Sequence, residues 1–129
     1  MKSVIPAWQD RIGRILLALS SVSAIGAFAG GLAAVRGALP QLVWLETWRT
    51  LGSLVFAGLF ALLAWRPRLS PGVWELAILD KAALAALGFA YGTPESLTAA
   101  PFDGALAVLL VAAYLFTRGW RSWRQREAE

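Results

Sequence analysis

Four long apolar runs, separated by short stretches rich in Pro and Gly, fill almost all of this 129-residue chain. Ile15 to Val35 has only Ser20, Ser21 and Ser23 as polar members. Leu42 to Trp65 is interrupted near its start by Glu46 and Arg49. Val73 to Tyr91 carries Glu75, Asp80 and Lys81. Phe102 to Phe116 begins beside Asp103 and needs Thr117 to Trp120 to reach full length. A hydrocarbon core of about 30 Å takes about 20 helical residues. The first two runs meet that outright, and the third reaches it with three charges inside. The breakers are Gly37–Pro40, Arg66–Gly72, Gly92–Pro94 and Pro101, and no run alternates polar and apolar faces as a water-facing helix does. Connections this short make consecutive helices antiparallel neighbours. The expected fold is all-α: a polytopic membrane protein, one up-down bundle of four transmembrane helices, with spans near 12–35, 42–65, 73–91 and 102–120.

Composition narrows the function classes. The chain is 58% apolar and 16% charged, against roughly 25% charged in an average soluble domain. It contains no His, Cys or Asn. Disulfide scaffolds, thiolate or imidazole metal centres and Ser-His-Asp or Cys-His catalysis are therefore excluded. No metal or cofactor is expected, and a quinone would have to be bound rather than ligated.

Basic residues orient the runs. Nine of the 12 Lys and Arg lie at the N-terminus (Lys2, Arg11, Arg14), in the second connection (Arg66, Arg68) and in the tail (Arg118, Arg121, Arg124, Arg126). The positive-inside bias puts both termini and the middle connection in the cytoplasm. An even number of spans requires the termini to share a side, and the charges agree. The expected location is the cytoplasmic (inner) membrane. A pI near 10.4 could suggest nucleic acid, but these basic residues flank apolar spans and form no stripe on a water-facing element. Ala27-Phe28-Ala29 imitates a signal-peptide cleavage site. The apolar run continues past it and exceeds a signal core, so a retained helix is expected.

Charges inside the runs are the candidate site. An ionisable residue deep in a bilayer costs a few kcal/mol, so it normally faces the bundle and has a partner. Asp80 and Lys81 sit mid-span, where they either hold helices together or do chemistry. Glu46, Arg49, Gly52 and Phe56 share one face of the second helix, with Glu46 and Arg49 spaced to pair. Asp103 is expected in the first turn of the fourth helix, where the macrodipole favours an acid. Glu75 suits the third position of the third helix, a structural role. Together Glu46, Arg49, Asp80, Lys81 and Asp103 could form one cluster in the outer half of the bundle. Its three acids outnumber its two bases, which suits proton exchange or general acid work. Asp80, Glu46 and Asp103 are thus the candidate catalytic groups. Arg49, Lys81, Gly52 and Trp48 are the candidate ligand-binding ones. On the first helix, Gly26 and Gly30 have the small-xxx-small spacing of a helix contact.

The stretch Glu46-Thr47-Trp48-Arg49-Thr50-Leu51-Gly52, running on to Gly58-Leu59, resembles the E-x-x-R-x-x-G segment of small four-helix membrane proteins related to DoxX. The four-helix plan is also similar. The resemblance implies a subunit-like role, in some members within quinone-linked oxidoreductases, with Glu46, Arg49 and Gly52 at the matching positions. Small multidrug exporters do not fit, because the first helix lacks a central carboxylate.

Three functions follow. The first is an integral membrane subunit, or a binder of a lipophilic small molecule such as a lipid or quinone. The second is a membrane-embedded acid/base isomerase or cyclase. The third is a proton-coupled transporter assembled as a homo-oligomer. The bilayer, a lipophilic molecule and a membrane protein partner are the expected associates, and nucleic acid is not.

Overall fold

A computed structural model describes residues 4–127, with side chains described through Arg124. Lys2 lies outside the described residues, as does the side chain of Arg126. The described chain is helical, without strands: α1 (Ala7–Gly37), a 3₁₀ turn (Pro40–Leu42), α2 (Val43–Trp65), α3 (Val73–Tyr91), α4 (Pro94–Thr117) and the short α5 (Arg121–Glu127). Three segments are long and apolar enough to cross a membrane, namely α1, the turn with α2, and α4. α3 is not among them, since Glu75, Asp80 and Lys81 fall within its 19 residues.

Helix ends follow local chemistry. α3 is bounded by Gly72 and Gly92, both left-handed (φ 87° and 65°), a conformation glycine adopts without a Cβ penalty. α4 corrects the expected span of 102–120. It begins at Pro94, because Thr93 and Ser96 form a reciprocal capping box and Pro94 occupies the first turn, where its missing N–H costs nothing. Pro101, expected to divide the spans, lies inside this helix. α4 ends at Thr117, where Arg118 turns left-handed. α1 starts at Ala7 rather than near residue 12, its polar first turns continuing the apolar helix.

Packing is uneven around the four long helices. α1 packs against α2 and α4, and α4 packs against α3. Small residues make these seams close. Ser21 Oγ of α1 donates to the Ala57 carbonyl of α2 at 2.8 Å, and Gly31 lies directly against Thr50. Gly13 of α1 lies against Thr117 of α4, and Gly88 of α3 against Ala100 of α4. The α2 and α3 backbones form no comparable seam. Between them, the Lys81 ammonium of α3 stands over the Phe56 ring of α2. The buried core, including Leu17, Phe60, Leu63, Trp74 and Leu110, draws on all four helices. Outside it, large apolar side chains are exposed on every long helix, among them Val22, Val55, Leu76 and Val108. Apolar exposure on all sides suits hydrocarbon and would drive aggregation in water.

Gly26 and Gly30, expected to form a helix contact, have open space where a Cβ would stand. The contact uses Gly31 instead, one position round the helix. Gly31→Val is expected to drive into Thr50 and cost about 1–3 kcal/mol, as overpacking does. Gly30→Val should leave the melting temperature in detergent near the parent's, and equal melting of the two variants would contradict this seam.

Candidate functional site: a buried lysine between two aspartates

Lys81 is the only charged side chain buried among the described residues, 9% exposed at the middle of α3. Its Nζ lies 3.3 Å from Asp103 Oδ1 on α4 and 3.7 Å from Asp80 Oδ2 on its own helix. It also sits 4.2 Å from the centre of the Phe56 ring, on the α2 side. One ammonium thus faces two carboxylates and an aromatic face, the kind of pairing that makes a charge tolerable away from water.

The two carboxylates differ. Asp103 is 15% exposed and hydrogen-bonded to Lys81. Asp80 emerges with its side chain 43% exposed, while its Oδ2 is buried without a hydrogen-bond partner. At 3.7 Å, Lys81 neutralises that oxygen only by charge. Asp103 corrects its expected place as well as its role. α4 begins at Pro94, so Asp103 lies in the helix interior, and its partner is Lys81 rather than the helix dipole.

The expected five-residue cluster divides in two. Glu46 and Arg49 pair with each other on α2, at 3.4 Å, with Arg49 54% exposed. Phe56, the α2 residue level with Lys81, is two helical turns further along, about 10 Å at 1.5 Å per residue. Among the described residues, no ion pair joins Glu46 or Arg49 to Asp80, Lys81 or Asp103. Gly52 has open space beside it, and Trp48 is exposed. The arrangement at Lys81 can hold a polar head through an ammonium donor and a carboxylate acceptor. The Glu46–Arg49 pair is an ordinary surface pair.

The opposite end of the molecule holds polar contacts that sequence reasoning missed. Asp10 of α1 accepts from Arg14 Nε at 2.7 Å and Arg68 Nη1 at 2.6 Å. Arg68 also donates to the Thr117 carbonyl of α4, and Arg14 to the carbonyls of Ala64 and Trp65 at the end of α2. Glu75 Oε1 accepts from the Tyr114 hydroxyl at 2.9 Å and Trp123 Nε1 at 3.1 Å, joining α3, α4 and α5. Glu75 stands at the third position of α3, and its Oε2 is buried without a hydrogen-bond partner. Only the four-residue spacing of Asp10 and Arg14 hinted at this clamp, because the basic residues read as topology signals.

Asp10 lies ahead of the apolar stretch of α1. Burial raises its pKa, but hydrogen bonds and charge from Arg68 and Arg14 outweigh this and hold the carboxyl below the ordinary aspartate range. The stability it adds is therefore full above that range and is lost as pH falls through the lowered value.

No family model matches this chain, and no curated protein or solved structure matches it either. The resemblance to DoxX-related proteins rests on the α2 stretch and on the general four-helix plan.

Proposed function

We propose that this chain is a four-span protein of the cytoplasmic (inner) membrane that binds a lipophilic molecule with a polar head, lipid or quinone-like, at the edge of the α2–α3 seam. It acts as a binding protein or as the binding subunit of a larger membrane complex, and a DoxX-like affiliation is part of the same proposal. The observation that carries this reading is Asp80. A carboxylate at mid-helix with 43% of its side chain exposed would face hydrocarbon at a cost of about 2.5–3.5 kcal/mol on insertion scales. A head group that donates a hydrogen bond to Asp80 and accepts one from Lys81 removes that cost, with its tail lying against the exposed apolar faces of α2 and α3.

Counting α3 as the fourth span is supported by the fate of its charges. Glu75 is near one end with its Oε1 hydrogen-bonded, Lys81 is buried against Asp103, and Asp80 is the mid-helix carboxylate whose Oδ2 has no hydrogen-bond partner. At about 1.5 Å per residue, the 19 residues cover about 28 Å, close to a hydrocarbon core.

The test is what stays with the protein after extraction in mild detergent. Organic extracts of the parent should contain a stoichiometric lipophilic compound that Asp80→Asn loses while melting normally. An Asn variant that keeps the same compound, or a parent that retains none, overturns the proposal. Orientation is tested separately, since the chain has no cysteine of its own. Leu69→Cys and Glu95→Cys, both at exposed positions, are probed with an impermeant thiol reagent on intact cells. Glu95→Cys should label and Leu69→Cys should not; the reverse pattern inverts the topology.

The carboxylate excess around Lys81 favours one second reading: a membrane-embedded isomerase or cyclase with Asp80 as its acid/base. There, Asp80→Asn would retain the bound compound unchanged in structure and fail to convert it.

A further inference from the structure

A second site lies in the groove between α1 and α2, near the Arg14 end. It has a volume of about 580 Å³, with Arg11 and Arg14 at one end and walls that include Ile15, Ala18, Val22 and Ala61. Its wall is thus apolar and its mouth cationic. Arg11 is exposed and has no ion pair or hydrogen bond among the described residues. Arg66, also exposed, follows the end of α2, its guanidinium stacked at 4.6 Å over the ring of Trp65, which lines the groove. Arg14 and Arg68 share one acid, Asp10. Arg11 and Arg14 at the groove, with Arg66 on Trp65, therefore leave the mouth positive.

Length selects the occupant. From Arg11 to Val22 the groove covers about 16 Å of helix at 1.5 Å per residue. Half of a 30 Å hydrocarbon core is about 15 Å, the depth of one leaflet. A phosphate held at Arg11 therefore places an acyl chain along the whole apolar wall, ending near mid-membrane. A free phosphate would leave that wall unused, and a zwitterionic headgroup would bring a second cation to a cationic mouth.

We infer that this groove binds an anionic phospholipid, its phosphate between Arg11 and Arg66 and one acyl chain between α1 and α2. The inference rests on the membrane placement but not on the Asp80 site, and the two can fail independently.

Purified protein is titrated with phosphatidylglycerol or with phosphatidylcholine of the same chains, and the lipid-bound fraction is read by native mass spectrometry. The parent should prefer phosphatidylglycerol. Arg11→Gln with Arg66→Gln should lower phosphatidylglycerol affinity on the order of tenfold, to the phosphatidylcholine level. Ala18→Phe, which fills the exposed groove and changes no charge, should weaken both lipids. Millimolar inorganic phosphate should not compete. Melting temperatures near the parent's establish that each variant is folded. Equal binding of the two lipids by the parent, a preference that survives the double Gln change, or displacement by inorganic phosphate would each overturn the inference.

Discussion

Lys81→Met is expected to destabilise the fold by about 3–5 kcal/mol, the cost of leaving a buried charge without its partner. That is a large share of the roughly 5–15 kcal/mol that holds a small protein folded. The geometry makes the loss asymmetric. Removing Lys81 leaves Asp103, 15% exposed, and Asp80 with no cation near either. Removing Asp103 instead leaves Lys81 with Asp80 at 3.7 Å, so Asp103→Leu should cost less. The double variant Lys81→Met with Asp103→Leu replaces an ion pair by apolar side chains, which is often close to neutral in energy. In mixed-micelle SDS titrations the order of stability should be parent, double variant, Asp103→Leu, then Lys81→Met. A double variant as unstable as Lys81→Met alone would mean that the lysine stabilises through something other than this pairing.

The second large effect is expected at the Asp10 clamp. Asp10 is 20% exposed and Arg68 23%, so their 2.6 Å hydrogen bond is partly shielded from water. Hydrogen bonds to charged groups contribute about 1.5–3 kcal/mol each. Asp10→Ala also leaves Arg14 and Arg68 facing each other without their shared acid, so about 2–4 kcal/mol is expected. Glu46→Ala should cost under about 1 kcal/mol, because Arg49 is 54% exposed and such pairs contribute little. The two variants, melted side by side in detergent, should differ clearly. Similar melting would show that the clamp is no tighter than a surface pair.

α3 was legible to the residue, Val73 to Tyr91, because glycine marks both of its ends. α2 was nearly so, since Pro40 precedes it and Arg66-Pro67 follows. α4 was misjudged for a physical reason. Pro101 read as a breaker, yet a proline removes one backbone hydrogen bond and a helix already capped at Thr93 and packed against α3 absorbs the loss. That error carried Asp103 into the wrong turn and hid its partner.

The candidate site was half legible. Mid-span charge identified Asp80 and Lys81, and the helical period placed Glu46, Arg49 and Phe56 on one face. The expected joining of Glu46 and Arg49 to Asp80, Lys81 and Asp103 fails on depth, since Arg49 lies two turns along α2 from Phe56, the level of Lys81, and pairs with Glu46. Which seams close depends on small residues meeting across helices, as Gly31 meets Thr50, and spacing along one helix does not reveal the other side. The same limit concealed Glu75, Tyr114 and Trp123, which lie far apart in sequence and share one hydrogen-bonded carboxylate oxygen.

The most direct measurement is an experimental structure of the parent protein from crystals grown in a lipidic mesophase, with its co-purified lipids retained. Elongated density beside α2 and α3, with a head within hydrogen-bonding distance of both the Asp80 carboxylate and Lys81 Nζ, is the result this account predicts. Asp80 facing bare hydrocarbon, or hydrogen-bonded only to side chains of its own chain, with no density at the seam, would contradict it.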